Sequence, residues 1–174
     1  MKNLLLLVTI LVTLSCCSNN DDNGNTLPPI TQTGANTVGC LVNGKVFLPH
    51  KQGLSAPVNC FYQFIDGEFF FSLTFSDRRG VTNESVNIFT AKIELQENQT
   101  YILNQPDTPE NGAGGEYRLS QSNQYNTSLI HTGELKITRV DLQNSIISGT
   151  FWFDAINTDN EVVEIREGRF DWNY

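Results

Sequence analysis

The sequence is short of the features that usually declare a chemistry. Its 174 residues include two histidines, His50 and His131, and four cysteines. There is no Gly-x-Ser-x-Gly elbow, and neither Cys40 nor Cys60 has a histidine close in sequence, so nucleophilic catalysis has no recognisable constellation. No Gly-rich loop opens a helix, which removes the usual phosphate cradle. Two cysteines twenty residues apart with no histidine beside them make a poor zinc site. Neither a metal nor a cofactor is expected, and no catalytic residue is assigned. Basic residues are also scarce: 11 Lys and Arg stand against 19 Asp and Glu, a formal charge of −8. This balance argues against nucleic acid, which needs a basic counter-surface, and against direct electrostatic binding to anionic lipid. No apolar run approaches the roughly 20 residues of a spanning helix, and helical periodicity is almost absent.

What is present starts at the N-terminus. Lys2 precedes an apolar run over residues 4–14 that only Thr9 and Thr13 interrupt, the size of a signal-peptide core. Leu14-Ser15-Cys16-Cys17-Ser18 follows, and it resembles the lipobox read by lipoprotein-processing enzymes. Two registers fit. Cys17 puts the favoured Leu14 at the third position before the cut, whereas Cys16 puts Thr13 there. The expectation is therefore a signal peptide over 1–16, cut before Cys17, with Cys17 lipidated. Two or more acyl chains, at about 0.8 kcal/mol per buried CH₂, make such attachment effectively permanent. Asp21-Asp22 behind the cysteine is similar to a surface-export signal of Bacteroidota lipoproteins. It points to an outer-membrane, lipid-anchored protein facing outward, with a periplasm-facing anchor as the alternative. Lys2 is the only charge lost on processing, which leaves −9.

Residues 17–37 form the lipidated cysteine and a linker of Asn, Asp, Thr, Gly and Pro with little to bury, expected to be disordered. About 20 such residues have an r.m.s. span of roughly 25 Å. Residues 38–174 have the size of one domain. Cys40 and Cys60 lie within it. An exported chain permits a disulfide between them; the alternative is two buried thiols, and the bridge is the expectation carried forward.

The domain is written in alternating patterns and hairpin turns. Asp66-Gly67 suits a type I′ turn, and folding there pairs Ile65 with Glu68, Phe64 with Phe69, Tyr62 with Phe71, Cys60 with Leu73 and Val58 with Phe75. Asn43-Gly44 gives a second turn, pairing Leu41 with Val46 and Cys40 with Phe47. Strands are expected over 85–95, 100–103, 115–120 and 129–140, with a loop over 106–114 and a bulge at Gly133. Ile147, Gly149, Phe151, Phe153 and Ala155 share one face of a further strand. After the turn at Asn157-Thr158-Asp159-Asn160, Val163 and Ile165 alternate; Phe170 and Trp172 return to phase only through a bulge near Glu167-Gly168. The sum is an all-β, antiparallel sandwich or small barrel of about nine or ten strands.

Asn36-Thr37-Val38-Gly39-Cys40-Leu41-Val42-Asn43-Gly44-Lys45, Gly149-Thr150-Phe151-Trp152-Phe153-Asp154-Ala155 and Ile165-Arg166-Glu167-Gly168-Arg169-Phe170-Asp171 together resemble a family of uncharacterised Bacteroidota surface lipoproteins. The resemblance implies the compartment and the fold and supplies no catalytic motif. Three functional classes follow. The preferred one is a non-enzymatic module, held to the membrane by its lipid, that binds a glycan, protein or small ligand or serves the envelope structurally. Phe61, Phe70 and Trp152, opposite the expected core, would suit such binding as an exposed surface, although burial of both faces, one by a second sheet and one by loops, is the preferred reading of them. The second is a carrier holding an apolar ligand inside a barrel. The third is a hydrolase using a carboxylate pair such as Asp154 and Asp171. Asn157–Glu161 is rich in oxygen but lacks the spacing of a calcium loop.

Overall fold

Both foreseen hairpins form on backbone that few side chains tolerate. φ is +47° and +77° at Asn43 and Gly44, and +51° and +90° at Asp66 and Gly67, the left-handed values a type I′ turn requires. The computed structural model describes residues 26–80, 83–105 and 111–174. The expected signal peptide, Cys17 and the Asp21-Asp22 pair lie outside the described residues. The first turn joins β1 (Thr37–Val42) to β2 (Lys45–Phe47), and the second joins β3 (Val58–Ile65) to β4 (Glu68–Asp77). All seven expected cross-strand pairs are in register.

β5 (Glu84–Ala91), β6 (Thr100–Leu103), β7 (Gly112–Ser120), β8 (Asn123–Asn126), β9 (Gly133–Asp141), β10 (Ile146–Ile156) and β11 (Val162–Asn173) complete eleven strands. They form one antiparallel sheet in the order β2-β1-β11-β10-β8-β7-β5-β4-β3, with β6 on β9 and β9 on β10, and the sheet does not close into a barrel. β10 is the branch point. Its residues from Ile146 to Phe153 pair with β9, and Ile156 then pairs with Asn126 of β8. One edge of one strand thus serves both halves of the sheet.

The halves meet face to face. Phe71 of β4 lies 5.9 Å from Phe170 of β11, and Phe75 lies 6.4 Å from Phe151 of β10, measured between ring centroids. Leu73, Ile88 and Phe153 are fully buried between them. Burial of side chains this size is worth about 1.5–3 kcal/mol each, and the alternation along β4, β5 and β10 delivers them to one layer. The interior is filled by these rings, contrary to the hollow barrel that a carrier needs.

The bulge near Gly168 is present. Arg166 and Glu167 of β11 stand opposite Trp152 alone, with φ +52° at Glu167, and Phe170 thereby returns to the core. Other boundaries differ from expectation. The fifth strand stops at Ala91 because Lys92 takes φ +57°. The ninth starts at Gly133, not residue 129; Leu129 and Ile130 are exposed in a turn pinned by the Ser128 hydroxyl. The irregularity in β9 falls at Thr138, whereas Gly133 is a site of close approach, where a Cβ would run into Trp152 and Phe153. The seventh begins at Gly112, inside the expected loop; residues 106–110 lie outside the described set.

The largest correction concerns the linker. It was expected to be disordered through residue 37, yet residues 31–36 are strapped onto β11. Asp171, wholly buried, accepts bonds from the amides of Thr33 (2.9 Å), Gly34 (2.7 Å) and Ala35 (3.1 Å) and from the Ser148 hydroxyl (2.7 Å). Asn173 adds a bond from its amide to the Asn36 side chain and one from its side chain to the Gly34 carbonyl. Hydrogen bonds to a charge supply what apolar burial does not. Burial alone would raise the Asp171 carboxyl, but the Thr31 and Ser148 hydroxyls and the Thr33 and Ala35 amides outweigh it and hold it well below the usual carboxylate range.

Such a depressed acid contributes stability in full above its unfolded value near pH 4, and loses it as the pH falls through the lower folded value. Asp171→Asn should therefore cost about 2–4 kcal/mol at neutral pH. The gap to the native chain should narrow on acidification, as urea unfolding at pH 6 and pH 3 would measure. Equal stability of the two chains at pH 6 would show that the strap is not held by this charge.

Candidate functional site

Alternation that puts Ile147, Phe151 and Phe153 of β10 inside puts Ser148, Thr150, Trp152 and Asp154 on the opposite face. The same logic brings Glu134 and Lys136 of β9 beside Trp152 and Thr150, and Thr100 of β6 beside Lys136. Arg169 of β11 lies across Thr150 on the other side. Ile30, just before the strap, closes one wall. Together they line an open groove of about 270 Å³.

Trp152 is the anchor of this groove. It is 37% exposed, and its indole N–H donates to Glu134 at 3.3 Å. The Arg166 guanidinium sits 5.5 Å from the ring centroid, a cation–π contact worth about 0.5–1 kcal/mol at such a site. Arg166 is fixed by Asp154 at 2.6 Å and by donation to the Phe153 and Ile165 carbonyls. The bulge thus has a second consequence: by doubling the residues opposite Trp152, it presents an arginine to the ring. The result is a part-exposed indole with Arg166 over its ring, in a groove lined by the hydroxyls of Thr100 and Thr150, the carboxylates of Glu134 and Glu167 and the cations of Lys136 and Arg169. This chemistry suits a polar ring that stacks and accepts and donates hydrogen bonds.

A second, larger depression of about 500 Å³ lies over the outer face of β4, β5 and β7. Arg78 and Arg118 flank it, with Thr74, Ser76, Ser85 and Ser120 on its floor. Glu116 already neutralises Arg118 at 2.7 Å, and no aromatic ring lines this depression.

Phe61, Phe70 and Trp152 do not share one platform. Phe61 and Phe70 are half-buried on the outer face of β3 and β4, and Trp152 lies on that of β10. Because the inner faces meet, these outer faces point apart. The Asp154–Asp171 pair also fails to form. Asp154 is level with Glu164, and Asp171 with Ser148, so about six residues of β10, or roughly 20 Å, separate them. Asp171 is sealed under the strap, and Asp154 is paired with Arg166.

The Asn157 turn forms as expected: its side chain bonds the amides of Asp159 and Glu161, while Glu161 accepts from Tyr125 and Asn157. His50 donates its Nδ1–H to the Leu48 carbonyl and lies 3.7 Å from Asp77, whereas His131 belongs to the β8–β9 turn. No group of three metal-ligating side chains occurs among the described residues. Glu134, Lys136, Arg169 and Ile30 escaped the sequence reading. The outward phase of the ninth strand carried the first two, but only the register across three strands brings them to Trp152.

The expected bridge between Cys40 and Cys60 is absent: both are free thiols. Cys40 lies opposite Phe47 on β1, and Cys60 opposite Leu73 on β3, at separate ends of the sheet order. Burial pushes the Cys60 thiol up to about 12 and the Cys40 thiol higher still, so neither is a nucleophile near neutrality. A thiol reagent at about pH 8 should leave both untouched in the folded protein and label both after denaturation without reductant. Failure to label them once unfolded would reveal a disulfide.

No curated protein and no solved structure matches the chain. Residues 72–171 match the family described as Domain of unknown function (DUF6252), a span running from the middle of β4 through Asp171 and including all of β9 and β10. With more than half its length matched, the chain belongs to that family of unknown function.

Proposed function

We propose that the chain is an exported lipoprotein, cut before and lipidated on Cys17. Its β domain is a non-enzymatic module that binds a saccharide in the Trp152 groove at the outer surface of the cell. The observation carrying this reading is the groove itself, where a part-exposed indole lies among Thr100, Thr150, Glu134, Lys136 and Arg169. Sugar rings offer an apolar face to stack on indole and a rim of hydroxyls for such polar neighbours. At about 270 Å³ the groove falls just below the roughly 300–1,000 Å³ usual for ligand clefts, which suits one ring of a longer chain. The apolar run, the lipobox-like Leu14-Ser15-Cys16-Cys17 and the acidic pair behind it support the export and anchoring.

Binding is tested with a panel of soluble oligosaccharides, read by tryptophan fluorescence and thermal shift. The chain has only two tryptophans, so removing one leaves an interpretable signal. A ligand at about 100 times its Kd should stabilise the fold by roughly 2.7 kcal/mol, a few degrees in Tm. Trp152→Ala should remove that shift while the unliganded Tm stays nearly unchanged. A saccharide that binds the variant as well as the native chain would move the site elsewhere, and a panel without any binder would end the saccharide reading.

Anchoring is tested separately by feeding cells labelled palmitate. Label should enter the native chain and be lost in Cys17→Ser but not in Cys16→Ser. Labelling that survives in Cys17→Ser would contradict the assigned cut.

A further inference from the structure

β3 ends the sheet, and its far edge has no backbone partner among the described residues. The other strands at margins are blunted. β2 is three residues long and begins with Lys45, and β6 is four residues long. β3 runs for eight residues, Val-Asn-Cys-Phe-Tyr-Gln-Phe-Ile, with no charge and no proline. In a chain of net charge −8 that is a conspicuous neutral strip, and an unguarded edge of this kind is a template for another strand.

The hairpin decides which groups the edge offers. Residues flanking a two-residue turn form a hydrogen-bonded pair, and such pairs alternate along an antiparallel ladder. Ile65, Gln63, Phe61 and Asn59 therefore spend their amides on β4. The Ser76 amide bonding to the Pro57 carbonyl continues the same phase. Val58, Cys60, Tyr62 and Phe64 turn their N–H and C=O outward. These four also carry the side chains of the core face, and Phe64 extends that face past the core, 63% exposed beside Phe69 at 4.8 Å.

We infer that this edge pairs with the same strand of a second copy of the chain, about a two-fold axis at Tyr62. The register follows from parity. Opposed residues must both point their amides outward and lie on one face, so the sum of their numbers is even and the residues themselves are even-numbered. An axis at Tyr62 sets Cys60 against the partner's Phe64 and Phe64 against the partner's Cys60, and it runs the apolar row unbroken across the junction. Phe61 then faces the partner's Gln63 on the outer side. Asp66 and Glu68 fall at or beyond the margin of the paired segment, so no like charges oppose each other. A copy of this acidic chain meets repulsion from most approaches, and along this strip it meets none.

The pairing is tested in the full chain with Cys16 and Cys17 replaced by serine. Phe61 and Gln63 of opposite copies form a non-hydrogen-bonded pair, whose close Cα spacing suits a disulfide. A chain bearing Phe61→Cys, mixed with one bearing Gln63→Cys and oxidised, should give a cross-linked dimer in several-fold greater yield than either chain alone. Phe64→Glu, at a position exposed in the single copy, should keep the thermal unfolding temperature within a few degrees and abolish that cross-link. Cross-linking no better in the mixture than in the separate chains would overturn the proposal. So would a β3 edge whose amides are protected from hydrogen exchange in a protein that sediments as a monomer, since the chain's own N-terminal residues would then cover it.

Discussion

The structure depends on β10 serving two layers with one strand. Its inner residues, Ile147, Phe151, Phe153 and Ala155, are buried to within a few per cent, and they meet rings arriving from β4 and β11. Its edge passes from β9 to β8, which lets a single sheet bend into facing halves without closing. A one-residue slip in this strand would turn Trp152 inward and the core outward together. Core and groove are therefore opposite faces of one alternating pattern, and neither can be altered in register without the other.

Asp171 adds a second coupling. It sits on the outer face of the last strand beside Ser148, where a carboxylate would ordinarily be solvated. The strap over it supplies three amides in place of water, and the strap's approach brings Ile30 to the rim of the Trp152 groove. The segment leading from the proposed anchor thus helps form the proposed binding wall. The strap is fixed by Asp171 and Asn173, so the placement of Ile30 at the groove follows from those bonds.

Much of this fold was legible because β-hairpins advertise themselves locally. Asn43-Gly44 and Asp66-Gly67 fixed their turns through positive φ, and two-residue periodicity then determined every pair along β3 and β4. The bulge before Gly168 was legible for the same reason, since Phe170 could reach the core only by a change of phase. The polar strand β8 was not. Asn123-Gln124-Tyr125-Asn126 has no alternation to read, and its pairing with β7 is imposed by the turn before it. The strap was hidden more deeply, because its stability resides in a residue some 137 positions away and not in its own composition. Cys40 and Cys60 mislead for a related reason: compartment favours a bridge, while strand order keeps the thiols with different neighbours. The groove fell between these cases. Trp152 was readable as outward-facing, but its polar partners come from other strands and from a bulge that delivers Arg166.

Site-resolved hydrogen exchange under native conditions is the most direct test of the account, because β10 as a shared strand makes a quantitative demand. The amides of Ile147, Phe151, Phe153 and Ala155 should exchange only through global unfolding, with the same opening free energy as core amides of β4 and β11. Exchange of β10 at distinctly lower free energy, with β3, β4 and β5 still protected, would mean that the halves open independently. The strand that carries Trp152 would then not be the one that holds them together.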